Sequence, residues 1–286
     1  MTIKSSLYQS QRFIHHVEMI EDSIAPNGQR LTTMQLTYWR AIHAEFMTHR
    51  VFSRNASSSR AIPVAKLLEQ VREQPAGPIM FLANQPGMQG GEVLSSSEQW
   101  SARDAWETAA RRAADQAEQL MKIGVHKQFA NRLLEPFTFI KVIVTATDWA
   151  NFFELRCHPD AQPEIHELAQ AMDHVIACST PKKLHAGEWH LPYIREEERT
   201  AMRMADCVKA SAARCARVSY LTHDKKEPSL EADLKLYHQL AGATPIHASP
   251  LEHQAQAMDE LSGAHRSGNF VGWYQYRKMI ERGWKV

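Results

Sequence analysis

Apolar and polar positions follow two rhythms along this chain. Residues 12–20 (RFIHHVEMI) and 30–38 (RLTTMQLTY) are strand-like in content, with Pro26-Asn27-Gly28 as a turn signal between them. The β-branched and aromatic run FTFIKVIVTAT predicts a further strand over 137–147. Other segments carry helical spacing. A short helix is expected from Trp39 to Met47, and another from Pro63, which suits a first helical turn, to about residue 73. Trp106, Ala109, Ala110, Ala113, Ala117, Leu120 and Met121 predict a long helix over 98–122, with Trp100 and Trp106 on its core face. Ile165, Leu168, Met172, Val175 and Ile176 mark one face of a helix over 161–178. Helices are also expected near 199–214, over 229–241, and from Ser249-Pro250, where Glu252 completes the spacing of a capping box. Between these, FSRNASSSRAIP reads as a polar loop, 74–96 as a Gly/Pro/Gln/Ser loop and 179–199 as irregular. Phe270, Trp273, Tyr274 and Arg277 have helical spacing in the tail. A few strands and longer helices without βαβ alternation predict an α+β fold, here one domain over 1–286.

Composition narrows the classes. Of 286 residues, 44% are hydrophobic and 23% charged, which is ordinary for a globular protein, and a net charge of +1 gives no global pull toward nucleic acid or membrane. The apolar runs are too short to span a bilayer, and MTIKSSLYQSQR lacks the apolar core of a signal peptide. The four cysteines have no C-x-x-C spacing, so free thiols and a cytoplasmic location are expected.

The densest chemistry lies in Thr48-His49-Arg50-Val51-Phe52-Ser53-Arg54-Asn55-Ala56-Ser57-Ser58-Ser59-Arg60. Its three arginines and four serines form a set of anion donors, since guanidinium forks and hydroxyls both bind phosphate oxygens. Judged on composition alone, a solvated polar loop is the competing interpretation. Further blocks follow. One is Thr145-Ala146-Thr147-Asp148-Trp149-Ala150-Asn151-Phe152-Phe153-Glu154-Leu155-Arg156 with Ala161-Gln162-Pro163-Glu164-Ile165, and another is Arg132 within NRLLEP. The last pair is Cys215-Ala216-Arg217-Val218-Ser219 and His247-Ala248-Ser249-Pro250-Leu251-Glu252-His253.

Together these blocks resemble the flavin-dependent thymidylate synthase (ThyX) family. His49, Arg50, Ser53, Asn55, Ser58 and Arg60 stand in register with that family's Arg-His-Arg signature, while Thr48 replaces the first Arg and Ala56 a Glu. Glu45 stands where a Gln is usual. Asn151, Arg156 and the AQ-x-EI run match a second family block, with Thr145 and Thr147 in place of flavin-contacting Asn and Arg. The Ala-Arg-Val-Ser and His-x-Ser-Pro-x-Glu-His elements precede the signature in the family but follow it here, the pattern of a circular permutation over blocks 48–60, 132–165 and 212–253.

The resemblance implies mixed helices around a small, mainly antiparallel sheet, and a homotetramer with shared active sites. It implies FAD as cofactor, NADPH and methylenetetrahydrofolate as co-substrates, and C5 methylation of the pyrimidine nucleotide dUMP. Arg156 is then the catalytic residue, stabilising negative charge on the pyrimidine. Glu45, Ser57, Ser58, Ser59, Arg60, Arg132 and Arg156 would bind substrate. His49, Arg50, Val51, Asn55, Asn151, Ser219, His247, Ser249 and Glu252 would bind flavin. No base stands beside Ser58, so it is assigned to binding rather than nucleophilic attack.

The departures leave other outcomes open: a hydroxymethyl product, UMP or dCMP as substrate, or a flavin and nucleotide binder without turnover. His185-Ala186-Gly187-Glu188-Trp189-His190 offers metal-ligand types but no known zinc spacing, so no metal is expected. The aromatic and basic tail from Phe270 resembles a nucleic-acid surface in composition, but the neutral net charge argues for a packing role and against nucleic acid or membrane as partner.

Overall fold

The computed structural model describes residues 7–9, 15–220, 229–262 and 264–284, with side chains of 7–9 and 219–220 outside the description. Its main sheet contains β1 (Leu7–Gln9), β2 (His16–Ile24), β3 (Arg30–Trp39), β4 (Ser53–Ala56), β5 (Phe139–Ala146) and β6 (Lys182–Lys183). The order is β1-β2-β3-β5-β4, all antiparallel, and β6 adds in parallel to β2. β3 and β5 pair along eight positions, from Thr32↔Ala146 to Trp39↔Phe139. β3 leads through a 3-10 turn, Arg40–Ile42, into α1 (His43–Met47).

Side-chain alternation gives the sheet two unlike faces. Met34, Leu36, Tyr38, Val142, Val144 and Ala146 form the apolar face, covered by α5 (Ala150–Arg156) and α6 (Pro163–Cys178) through Phe152, Ile165, Leu168, Met172 and Val175. The opposite face carries Thr33, Gln35, Thr145, Ser53 and Asn55. It is closed by α7 (Glu196–Ala201), α8 (Met204–Tyr220), α9 (Leu230–Ala241) and the C-terminal segment. That segment pairs β8 (Ala255–Ala257) and β11 (Trp273–Gln275) with β7 (Trp189–His190), which precedes α7, in a three-stranded sheet. A small pair, β9 (Arg266–Ser267) and β10 (Phe270–Val271), and α10 (Tyr276–Glu281) complete it. Beside the main sheet, α2 (Val64–Glu73), α3 (Ser96–Lys122) and α4 (Lys127–Ala130) pack through Leu67, Leu68, Val71, Ala110, Ala114 and Ala117. Among the described residues no helix is long and apolar enough to cross a membrane.

The α+β expectation holds, with several corrections of detail. Residues 12–14 of the first expected strand lie outside the described residues. The strand continues instead through Glu21-Asp22-Ser23, because Asp22 is neutralised by Arg30 at 2.7 Å and bonded by Ser179. β4 lies inside the expected loop. Its sequence, SRNA, has no strand signal, and it extends because β5 offers a free edge. α3 begins at Ser96 behind a capping box in which Ser95 and Glu98 satisfy one another's backbone. On that helix Trp106 packs edge-on against Trp39 at 5.7 Å, but Trp100 is 71% exposed and is not a core residue. The expected helix at 199–214 is two, α7 and α8, broken at Met202-Arg203. Ser249 starts only a single 3-10 turn, Ser249–Glu252, with Ala248 at the N-cap position and no side-chain cap, so the capping box does not form. The tail's apparent helical spacing belongs to β10 and β11, with helix only from Tyr276.

Candidate functional site

Two polar clusters lie at the two ends of β4. The first surrounds Arg156, the last residue of α5. Its Nε donates to His49 Nε2 at 3.0 Å, and a terminal nitrogen donates to Thr48 Oγ1 at 3.4 Å. Accepting that bond requires His49 Nε2 to be unprotonated, which places the imidazole proton on Nδ1. Burial first, then the nearby guanidinium groups of Arg156 and Arg54, lowers the His49 pKa to about 4, so the ring is neutral at pH 7. Phe52 stacks on the ring and Phe152 meets its edge at 4.9 Å. Arg54 donates to the carbonyls of Phe46, Met47 and His49 at 3.0–3.2 Å, which fixes the turn carrying Thr48 to Val51. One terminal nitrogen of Arg54, an arginine counted among the anion donors by composition, is thus committed to holding this turn. Burial raises the pKa of Glu45, Arg156 opposes the shift, and Glu164 adds to it. One Glu45 carboxylate oxygen is buried without a hydrogen bond among the described residues.

Beside this cluster lies a pocket of about 200 Å³ lined by Thr48, His49, Arg50, Val51, Asn151 and Leu155, with Asp148 and Phe152 completing it. Arg50 is exposed and enters no ion pair among the described residues. The pocket thus offers a cation, a carboxylate, an amide and apolar walls. Its volume is below the roughly 300–1,000 Å³ usual for enclosed ligand sites.

The second cluster lies beyond the other end of β4. Ser57 is held against β5 by Lys141 N donating to its Oγ at 3.0 Å. Ser59 Oγ donates to Glu135 at 2.5 Å, and Arg132 donates to both oxygens of the same carboxylate at 3.0 Å. Arg40 donates to Ser57 O and Thr138 Oγ1, and Lys127 to Ala61 O. Arg60 is exposed and without an ion pair among the described residues. Arg132 thus pairs with Glu135, Arg40 acts electrostatically on the same carboxylate, and Lys127 ties to the carbonyl beside the exposed Arg60. Sequence reasoning missed Arg40 and Lys127, which come from two other elements and carry no local motif.

Of the residues expected at the flavin, the structure brings His49, Arg50, Val51 and Asn151 to one pocket. Asn55 and Ser249 are elsewhere, bonded to one another at 3.3 Å, while the Asn55 amide donates to Cys215 O at 2.8 Å. Glu252 pairs with Arg277. His247 is exposed, and the Ser219 side chain is outside the described residues. Thr145 belongs to a buried chain running from Ser23 through His190, Thr33 and Thr145 to His253, with links of 2.7–3.0 Å. His190 therefore faces the core, away from the exposed His185. Thr147 accepts from Val271 N. Of the expected substrate residues, Ser57, Ser58, Ser59, Arg60 and Arg132 form the second cluster, and Glu45 and Arg156 the first. Ser53 and Ser57, at the two ends of this extended stretch, are four residues apart, about 13 Å at ~3.3 Å per residue.

Residues 29–182 match the family described as thymidylate synthase complementing protein. Among solved structures, the chain is similar to the UMP/dUMP methylase PolB from Streptomyces cacaoi bound with 5-Br UMP, at 18% identity over 58% of this chain and 90% of that one, with a TM-score of 0.47. It is similar to the same methylase bound with 5-Br dUMP at 22% identity over 53% and 69%, with a TM-score of 0.43. No curated protein matches significantly. The family match covers more than half of the chain and contains both clusters, and the chain accordingly belongs to the thymidylate synthase complementing protein family, the flavin-dependent thymidylate synthases whose motifs it carries.

Proposed function

We propose that this protein methylates C5 of a uridine 5′-monophosphate, with dUMP as the first candidate, at sites built from two copies of the chain. The observation that carries the reading is the separation of the clusters. Arg156 and the Ser58/Arg60/Arg132 group both suit one nucleotide, yet they lie at opposite ends of β4. Each is flanked by exposed apolar side chains, Met47, Val51 and Leu155 at one end, Ile123, Phe129 and Leu133 at the other. A second copy that covers one apolar rim with the other would unite the groups and remove both patches from water. A homotetramer is the assembly the family resemblance favours.

In such a site Arg60, which enters no ion pair among the described residues, and Arg132, exchanging Glu135 for the ligand, bind the nucleotide phosphate, with Ser58 supplying a hydroxyl. Arg156 faces the base. Its Nε is committed to His49 and one terminal nitrogen reaches Thr48 Oγ1 at 3.4 Å, so the other is left to meet negative charge developing at O4 and N3, which favours reaction at C5. Flavin fits the first pocket in part. Arg50 suits a phosphate, and Val51 and Leu155 suit a ring, but a pocket of about 200 Å³ holds only part of a dinucleotide and again calls for a second copy. Bound there, the flavin supplies the redox chemistry that side chains lack. NADPH and methylenetetrahydrofolate complete the proposed reaction.

The permuted order belongs to the same proposal. The 212–253 block lies outside the matched segment, yet α8 and the 249–252 turn pack on β4 and β5, with Asn55 bonded to both. The test is a product assay with FAD, NADPH, methylenetetrahydrofolate and dUMP, with UMP and dCMP in parallel, read by mass spectrometry. Methylated dUMP supports the proposal. A hydroxymethyl product, or turnover of UMP or dCMP alone, replaces its final step or its substrate. Bound flavin without any product overturns it.

A further inference from the structure

Two motifs take no part in either cluster: the 185–190 segment and the aromatic, basic tail. They meet at a cavity of about 720 Å³ lined by Glu188, Trp189, Met204, Gln256, Met279 and Trp284, none of which lines the pocket at His49. Its aromatic walls are held from behind. Trp189 meets Tyr276 edge-on at 5.9 Å, and the Tyr276 hydroxyl is bonded to that of Tyr237 at 2.6 Å. Trp284 meets Tyr274 at 5.3 Å, and the Arg282 guanidinium lies 5.7 Å from its ring centre. Two thioethers, Met204 and Met279, fill the remaining apolar lining, and soft sulfur is a good neighbour for a ring.

The polar groups of the lining are acceptors. Gln256 Nε2 donates to Gly187 O at 2.8 Å, which fixes the amide and leaves Oε1 available to accept. Glu188 takes its own turn's His185 N at 2.8 Å through one oxygen and keeps the other. Among the described residues that line the cavity there is no lysine or arginine.

We infer that this cavity is a second binding site, for a planar nitrogen heteroaromatic ring whose N–H or amino groups donate to Gln256 and Glu188 while its faces lie against indole and thioether. Adenine and pteridine rings share that chemistry. The inference goes beyond the nucleotide reading and stands without it.

The full-length protein is titrated separately with adenosine and with folic acid by equilibrium dialysis, with dUMP present and absent. Saturable binding to either probe, about tenfold or more weaker in Trp284→Ala and untouched by dUMP, supports the site. Binding of one probe only identifies the ring class. Trp284 is 42% exposed and its removal should be tolerated. If thermal melting shows that this variant is unfolded, Gln256→Met, which keeps the side chain's length and removes the amide acceptor, decides in its place. No saturable binding of either probe, binding that the deciding variant leaves unchanged, or displacement by dUMP overturns the inference.

Discussion

The two ends of β4 differ in how their charges are held. At the Arg156 end, a guanidinium is locked to a neutral imidazole inside an aromatic frame of Phe52 and Phe152. At the Arg60 end, Arg132 is paired with Glu135 and Arg60 is exposed with no ion pair among the described residues. A group that must stabilise charge developing on a base gains from rigidity and low polarity, because its dipoles need no reorganisation. A group that captures a phosphate gains from access and excess positive charge. Under the proposed function the contrast corresponds to chemistry at one end and capture at the other, and variants at each end should separate the two roles.

The largest effect is expected from Arg156→Ala. Loss of a charge-stabilising donor should lower kcat on dUMP by about 10²–10³-fold, with circular dichroism and melting temperature nearly unchanged because Arg156 is only half-buried. A comparable fall in affinity with kcat preserved would move Arg156 to the capture end. Next in size is the double variant Arg60→Ala/Arg132→Ala. It should raise KM for dUMP by roughly tenfold to a hundredfold with a small change in kcat, since it removes binding common to ground and transition states.

Mixing these two inactive or impaired proteins sharpens the comparison. If each site takes one end from one copy and the other end from a second, random reassembly leaves roughly a quarter of sites with both ends intact. Activity at low dUMP should therefore recover to about a quarter of wild type after unfolding and refolding together. Recovery no greater than the sum of the separate proteins would mean that each chain completes its own site.

Titration gives a further handle on the Arg156 end. His49 is held neutral with a pKa of about 4. His15 and His43 are also lowered to about 4 and His253 to about 3, each chiefly by burial. The unfolded chain binds protons on these groups near pH 6.5 while the folded chain refuses them. Stability is therefore full above about pH 6.5 and falls as pH drops toward 4. His253 alone should contribute on the order of 3 kcal/mol to that loss. Glu21, raised to about 7 by burial, acts in the opposite direction over 4.5–7, and offsets part of the trend. Thermal melts between pH 7.5 and 4.5 should show a falling melting temperature. A flat profile would mean that these rings find proton acceptors on acidification.

Legibility in the sequence tracked how local the cause was. α3 and α6 were readable because a stripe of buried Ala, Leu, Met and Val repeats along each helix, and β3 and β5 because β-branched residues crowd them. β4 was not readable, since its strand state comes from pairing with β5, about ninety residues away in sequence. The arginines and serines of 48–60 were readable as anion donors. Their division between two ends depends on the strand that runs through the middle of the motif, and Arg54 turning back to three carbonyls has no local mark. Arg40 and Lys127 join the capture end only through tertiary packing.

The smallest predicted effect tests that last lesson at the seam between β4 and the C-terminal block. A capping box at Ser249 would make Ser249→Ala cost about 1 kcal/mol of stability. Here Ser249 Oγ reaches only Asn55 at 3.3 Å and caps nothing, so the substitution should change stability by less than about 0.5 kcal/mol. Asn55→Ala should cost more, about 1–3 kcal/mol, because it strips the carbonyl of Cys215, a buried residue on α8, of a side-chain donor. Urea titration of both variants ranks them directly. Equal costs would show that the 249–252 turn depends on a side-chain cap, while the expected inequality places the tie between the two blocks in the Asn55 amide.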